Sequence, residues 1–127
     1  MHIAHIGIWT TDIEAMKDFY THYFDGKSNK KYTNPTTAFE SYFISFEQGT
    51  QLELMHKPSV STPLTTAEYI GFAHIAFKLG SPEAVLVLTN RLRMDGYQVM
   101  GEPRTTGDGY FESVVLDPEG NRIELIA

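Results

Sequence analysis

The chain carries one short pattern twice. His5, set in the apolar run Ile3-Ala4-His5-Ile6-Gly7-Ile8, is followed 48 residues later by Glu53 between Leu52 and Leu54. The order returns with His74 in Phe72-Ala73-His74-Ile75-Ala76-Phe77 and, 50 residues on, Glu124 between Ile123 and Leu125. The copies are offset by about 70 residues. Two copies are too few for a stacked solenoid, so the repetition implies a duplicated unit. A length of 127 residues suits one domain or two very small halves sharing a core.

Each copy reads as strand, helix, then strands. Residues 2–9 alternate and are rich in Ile, the pattern of a strand. Asp12 is an N-cap for a helix in which Ile13, Met16, Phe19, Tyr20 and Tyr23 recur at helical spacing, ended by Asp25-Gly26. Residues 27–38 are polar and read as a loop or a poorly patterned strand. Residues 39–46 and 51–56 are strands around a Gln48-Gly49 turn. The Pro, Ser and Thr content of the segment around 58–71 marks a linker between module 1 (about 1–57) and module 2 (about 72–127). In module 2, residues 72–78 are a strand. Ser81-Pro82 starts a helix with Ser as N-cap and Pro in the first position, and Val85, Leu88 and Leu92 face its core. After Asp95-Gly96 come a short strand (97–100), a Gly-rich loop (101–109), a strand (110–116), a tight turn (117–120) and a last strand (121–126).

Side chains two apart on a strand share a face. In both copies the apolar neighbours of each His and Glu therefore point one way, to be packed on a helix, and the His and Glu point the other. A sheet that curls would collect His5, Glu53, His74 and Glu124 in one pocket. Coordination to a cation would remove the cost of burying two carboxylates and two imidazoles unpaired. Two nitrogen and two oxygen donors suit Ni, Co, Zn, Mn or Fe. Any one of these residues alone would read as part of a solvated strand face; the joint pattern makes a metal-dependent reaction the first expectation.

Composition narrows the alternatives. Net charge is −6 with no Lys/Arg cluster, which argues against a nucleic-acid surface. With no cysteine, disulfides, thiolate metal sites and a cysteine nucleophile are excluded. No apolar run approaches a membrane span, and the N-terminal residues lack a signal-peptide pattern, so a cytoplasmic protein is expected. Trp9 shares the His5 face and is expected either to wall the pocket or to pack at a subunit interface. Arg104, in the Gly-rich loop, is a candidate anion clamp, with a surface charge as the plainer reading. Arg122 lies on the Glu124 face and can reach the pocket rim. His2, His22 and His56 are read as exposed, with a substrate contact as the alternative for His56.

The HIGI strand, the DIEAMKDFY helix, the LEL strand, the second HIAF strand and above all the closing LDPEGNRIELI resemble the vicinal oxygen chelate superfamily of glyoxalases, bleomycin-binding proteins and dioxygenases. The resemblance implies an α+β fold of two βαβββ modules in tandem, forming a curved, mostly antiparallel sheet around a metal site. The His, Glu, His, Glu set is similar to that of bacterial glyoxalase I, a lactoylglutathione lyase, which implies Ni or Co, a homodimer, and sites drawing ligands from both subunits. It also implies isomerisation of the hemithioacetal of methylglyoxal and a thiol, with Glu53 or Glu124 as the base and the metal as Lewis acid. The chain departs from that family in carrying Trp9 where an Arg helps to hold glutathione, and Lys57 where an Asn does. A thiol other than glutathione is therefore open, as are an epimerase, a fosfomycin-modifying enzyme or a dioxygenase. A small-ligand-binding resistance protein, with Trp9, Tyr42, Phe43 and Tyr110 as stacking surface, is the reading from a different class.

Overall fold

The computed structural model describes residues 1–61, 70–107 and 109–127, and the chain divides into two units, Met1–Thr66 and Ala67–Ala127. Most of the expected linker lies outside the described residues. The chain is an α+β protein whose units are both built from one strand, one helix and an antiparallel set of strands.

In the first unit the elements are β1 (His5–Trp9), α1 (Ile13–Tyr23), β2 (Lys27–Ser28), β3 (Tyr32–Asn34), β4 (Phe39–Ser45) and β5 (Gln51–His56). The sheet order is β1-β5-β4-β2, with β3 also on β4. β1 runs parallel to β5, and the other pairings are antiparallel. Asp12 caps α1, its carboxylate accepting the Ala15 amide at 2.9 Å. Ile13, Met16, Phe19 and Tyr20 then form one buried stripe of α1 above Ile44, Leu52 and Leu54. Each such side chain contributes roughly 1.5–3 kcal/mol on burial, which is what holds the helix to the sheet.

The second unit contains β6 (Ile75–Lys78), α2 (Pro82–Met94), β7 (Val99–Thr105), β8 (Phe111–Leu116) and β9 (Arg122–Ile126), in sheet order β6-β9-β8-β7. β6 and β9 are parallel, as β1 and β5 are. Ser81 caps α2 through the Ala84 amide, with Pro82 leading the helix as expected. The buried residues of α2 are Val85, Thr89 and Leu92, while Leu88 is only half-buried. Thr89 is polar, and so escapes a reading based on hydrophobic spacing. Its hydroxyl donates to the Val85 carbonyl at 2.6 Å and bonds the Ser113 hydroxyl at 2.7 Å, which satisfies both groups in a dry core.

Several boundaries differ from those the sequence suggests. The polar stretch 27–38 contains two short strands, because β4 offers them hydrogen-bonding partners that propensity alone does not reveal. β6 begins only at Ile75, so His74 immediately precedes the strand instead of lying within it. The Gly-rich segment expected to be a loop from residue 101 is strand β7 as far as Thr105. Pro103 is tolerated there because β7 is the sheet edge. The turn before β9 is built by buried Asp117. Its carboxylate accepts the amides of Glu119 (3.0 Å) and Asn121 (2.9 Å) and the Asn121 side chain (2.8 Å). Among the described residues no helix is long and apolar enough to cross a membrane.

Candidate metal centre

In the first unit, parallel pairing sets Gly7 opposite Glu53 and His5 opposite Gln51. His5 and Glu53 therefore share the sheet face turned away from α1. The His5 Nε2 to Glu53 Oε2 distance is 3.4 Å. In the second unit Ala76 lies opposite Glu124, and His74 precedes β6 by one residue. The His74 Nε2 to Glu124 Oε2 distance is 3.2 Å. Thus a small residue, Gly7 or Ala76, faces each glutamate, and the Met55 side chain packs over Gly7, its Cε 2.8 Å from where a Cβ would stand. In both pairs the imidazole is the more open partner, with side-chain exposures of 46% against 18% and 41% against 21%.

These distances fit a shared cation. Metal–donor bonds of about 2.0–2.2 Å at angles between 90° and tetrahedral place two donor atoms roughly 3–3.5 Å apart. Among the described residues no three His, Asp or Glu side chains form a metal-binding group. Each pair alone offers two donors, half of a four-donor set.

The surroundings of the two pairs are different. Phe43, opposite Glu53 on β4, sets its ring edge-to-face on His5 with centroids 5.4 Å apart. Trp9 packs edge-to-face on Phe39 at 6.2 Å, and Tyr32 extends the same cluster. The sequence signal for Phe39 is the alternation of residues 39–46, whereas Tyr32 lies in the polar stretch 27–38, whose pairing with β4 is not readable from residue types. Tyr42 is not part of this surface. It pairs with Leu54 and turns toward α1, where its hydroxyl donates to Glu14 at 3.1 Å. Tyr110 lies exposed between β7 and β8.

The second unit holds an open hollow of about 520 Å³ lined by His74, Glu124, Arg104, Arg122, Glu102 and Met100, with Gly101 and Val114 in its wall. Arg104 and Arg122 thus border the same space as the His74–Glu124 pair. Glu102 is engaged by Arg93 of α2. His56 is part-buried, its Nδ1 2.9 Å from the Thr10 carbonyl, and it lies off the His5 face. His2 and His22 are exposed.

Residues 2–125 match the family model described as the Glyoxalase/Bleomycin resistance protein/Dioxygenase superfamily. The chain belongs to this superfamily. A relative within reach of sequence comparison is the uncharacterized protein YqjT of Bacillus subtilis (strain 168), 24% identical over 97% of this chain and 96% of its own length. Among solved structures, the trypanothione-dependent glyoxalase I of Leishmania major superposes with a TM-score of 0.79 at 24% identity, over 99% of this chain and 86% of that one. Glyoxalase I of Zea mays gives 0.79 at 23%, over 98% of this chain. This chain spans only 44% of the Zea mays protein. At such identities the structural likenesses establish the fold of a superfamily member and leave its reaction open.

Proposed function

We propose that the protein is a metal-dependent enzyme of the glyoxalase I type, isomerising the hemithioacetal of methylglyoxal and a thiol. Its divalent cation, Ni or Co ahead of Zn, Mn or Fe, takes His5, Glu53, His74 and Glu124 as ligands. The observation that carries this reading is the recurrence of one His–Glu pair, at donor-to-donor distances of 3.4 and 3.2 Å, in the same place beside the parallel strands of both units. Duplication alone preserves a fold. It gives no reason for both copies to keep an imidazole and a carboxylate at ligand spacing on a solvent-accessible face.

A bound cation of this kind supplies Lewis acidity at a substrate oxygen. The chain's own residues supply the rest. Glu53 or Glu124 takes the proton from C1 of the hemithioacetal and returns it to C2, giving a thioester. A carboxylate can do this when it lies within about 2.6–3.2 Å of the proton's carbon or reaches it through one water. Two carboxylates allow one to work as base while the other keeps the negative charge of the ligand set. Trp9, Arg104 and Arg122 border the pairs and position the substrate. The active species is a cytoplasmic homodimer on this reading, as in the glyoxalase I enzymes the chain resembles.

The test is turnover of metal-loaded protein with methylglyoxal and a panel of thiols that includes glutathione, followed by thioester absorbance. Turnover with at least one thiol is expected. Absence of turnover with every thiol, in protein shown to hold metal, would end the isomerase assignment. The cluster of Trp9, Phe39 and Tyr32 favours a second reading, a protein that binds a small aromatic ligand. On that reading a ligand would quench Trp9, the only tryptophan, without being converted.

A further inference from the structure

Strand β7 is longer than its partner needs. Between Val99 and Arg104 it advances five residues while β8 advances three, from Val115 to Glu112, with register shifts on either side of Gly101. Two residues of β7 are therefore extra. Bulges of this kind bend a strand and re-aim its side chains. In a regular ladder from Gly101, residues 103 and 105 would share its face and Arg104 would point to the other side. With the second shift, Gly101 opposes Val114 and Arg104 opposes Glu112, two residues apart on β8 and so on one face. Val114 in turn opposes Glu124. The bulge thus turns Arg104 onto the face of the His74–Glu124 pair.

The sequence shows how this is arranged. Pro103, in the bulged stretch, has no amide hydrogen to give to the ladder. Gly101 lies close over Val114, where an added Cβ would stand 3.3 Å from Cγ2. Its lack of a side chain keeps the hollow open between Arg104 and Glu124. Glu102, the nearest acid on β7, is occupied by Arg93. Among the described residues Arg104 has no hydrogen-bonded or ion-paired partner, even though Glu112 lies directly across the ladder. A guanidinium that borders an open hollow beside the His74–Glu124 pair, with Glu102 engaged by Arg93 and Glu112 across the ladder making no ion pair with it, has the geometry of an oxyanion receptor.

We infer that the doubly bulged strand β7 makes Arg104 the specificity-determining residue of this site, and that the substrate carries a terminal oxyanion, a carboxylate or a phosphate. This rests on the proposed function only in identifying the oxyanion as part of the thiol half of the substrate. In a protein of net charge −6, a local cation is needed to admit such a group.

The test separates binding from catalysis. Wild-type protein, Arg104→Gln and Arg104→Lys, each in metal-loaded form, are titrated with propionate, inorganic phosphate and the neutral propionamide and followed by NMR. Arg104→Gln is expected to weaken one or both oxyanions by about tenfold or more, the size of a charged hydrogen-bonded contact, and to leave propionamide unchanged. Arg104→Lys should fall between, since it keeps the charge and loses the fork. Which oxyanion responds more identifies the group. In parallel, KM for the hemithioacetal of 3-mercaptopropionate should rise about tenfold in Arg104→Gln with kcat nearly constant, and that of 2-mercaptoethanol should not move. Unchanged oxyanion titrations in well-folded Arg104→Gln would overturn the inference. Weakened oxyanion binding in a protein that turns over no hemithioacetal would support it and reject the isomerase reading instead.

Discussion

The two units share a scaffold and differ in what they place around it. In each, a parallel strand pair brings a histidine within 3.4 Å or less of a glutamate set opposite a small residue. Around His5 and Glu53 the face is aromatic, with Phe43, Trp9 and Phe39. Around His74 and Glu124 it is charged and hollow, with Arg104, Arg122 and Glu102. The cores differ in the same sense. Tyr20 and Phe19 fill the first, whereas the second encloses the Thr89–Ser113 hydroxyl pair. What recurs in both units is the His–Glu pair, and what differs is the set of side chains around it. On the proposed reading, the first side takes an apolar or planar group and the second an oxyanion.

If the repeated pairs do the chemistry, losing either glutamate should have the largest effect. Glu53→Gln and Glu124→Gln are each expected to lower kcat/KM by about a hundredfold or more, whereas Glu112→Gln should cost far less. Equal losses at all three positions would contradict the choice of Glu53 and Glu124 as ligands, and unequal losses at these two would break the equivalence of the pairs. Steady-state kinetics with matched metal loading measure this.

A smaller contrast lies at the helix ends, where both units carry Asp-Gly. In the first, Asp25 takes the left-handed conformation (φ 53°) and Gly26 is packed tight. A Cβ on Gly26 would stand 2.5 Å from Ile44 Cγ2 and 2.9 Å from the Tyr20 carbonyl oxygen. In the second, Gly96 itself is left-handed (φ 90°), has open space around it, and lets the Tyr97 amide close on the Leu92 carbonyl at 2.9 Å. Gly26→Ala should therefore destabilise by about 1–3 kcal/mol through overpacking. Gly96→Ala should cost about 1 kcal/mol through backbone conformation alone. Urea unfolding gives both values, and a reversed order would contradict the packing described for Gly26.

The smallest expected effect is on the outer side of the first unit. Lys31 lies 2.6 Å from Glu14, which also accepts from Lys17 and Tyr42. The hydrogen bond from Lys31 is the main cause holding the Glu14 carboxyl below its ordinary range, and hydrogen bonding to Asp18 and then Glu14 holds Lys17 above its own. A lowered carboxyl pKa stabilises the fold above the unfolded value, and that contribution is lost as pH falls through the folded one. Glu14→Gln should thus cost under about 1 kcal/mol near neutrality, because the group is half exposed. The difference from wild type should vanish in acid. A difference that persists at pH 3 would assign the effect to packing.

Much of this is legible in the residues. Alternation placed His5, Glu53 and Glu124 opposite their apolar neighbours, and Asp12 and Ser81 announced both helices. What could not be read was set by tertiary pairing. β2 and β3 exist because β4 is beside them. Arg104 looked like a loop residue because Gly101 and Pro103 signal a turn locally, while in the sheet they make a bulged edge strand. Thr89 escapes a reading by apolar spacing because it is polar and its partner, Ser113, is remote in sequence. The functional faces therefore depended on register, which residue types on a single strand do not reveal.

His5, Glu53, His74 and Glu124 are proposed to hold one divalent cation. Elemental analysis of purified protein, after reconstitution with Ni, Co, Zn, Mn and Fe and removal of free ion, tests it most directly. One tightly held ion per chain is expected in wild type and its loss in both His5→Ala and His74→Ala, with the fold retained by circular dichroism. Wild-type protein that retains no stoichiometric ion with any of the five metals, or variants that hold metal as well as wild type, would contradict it.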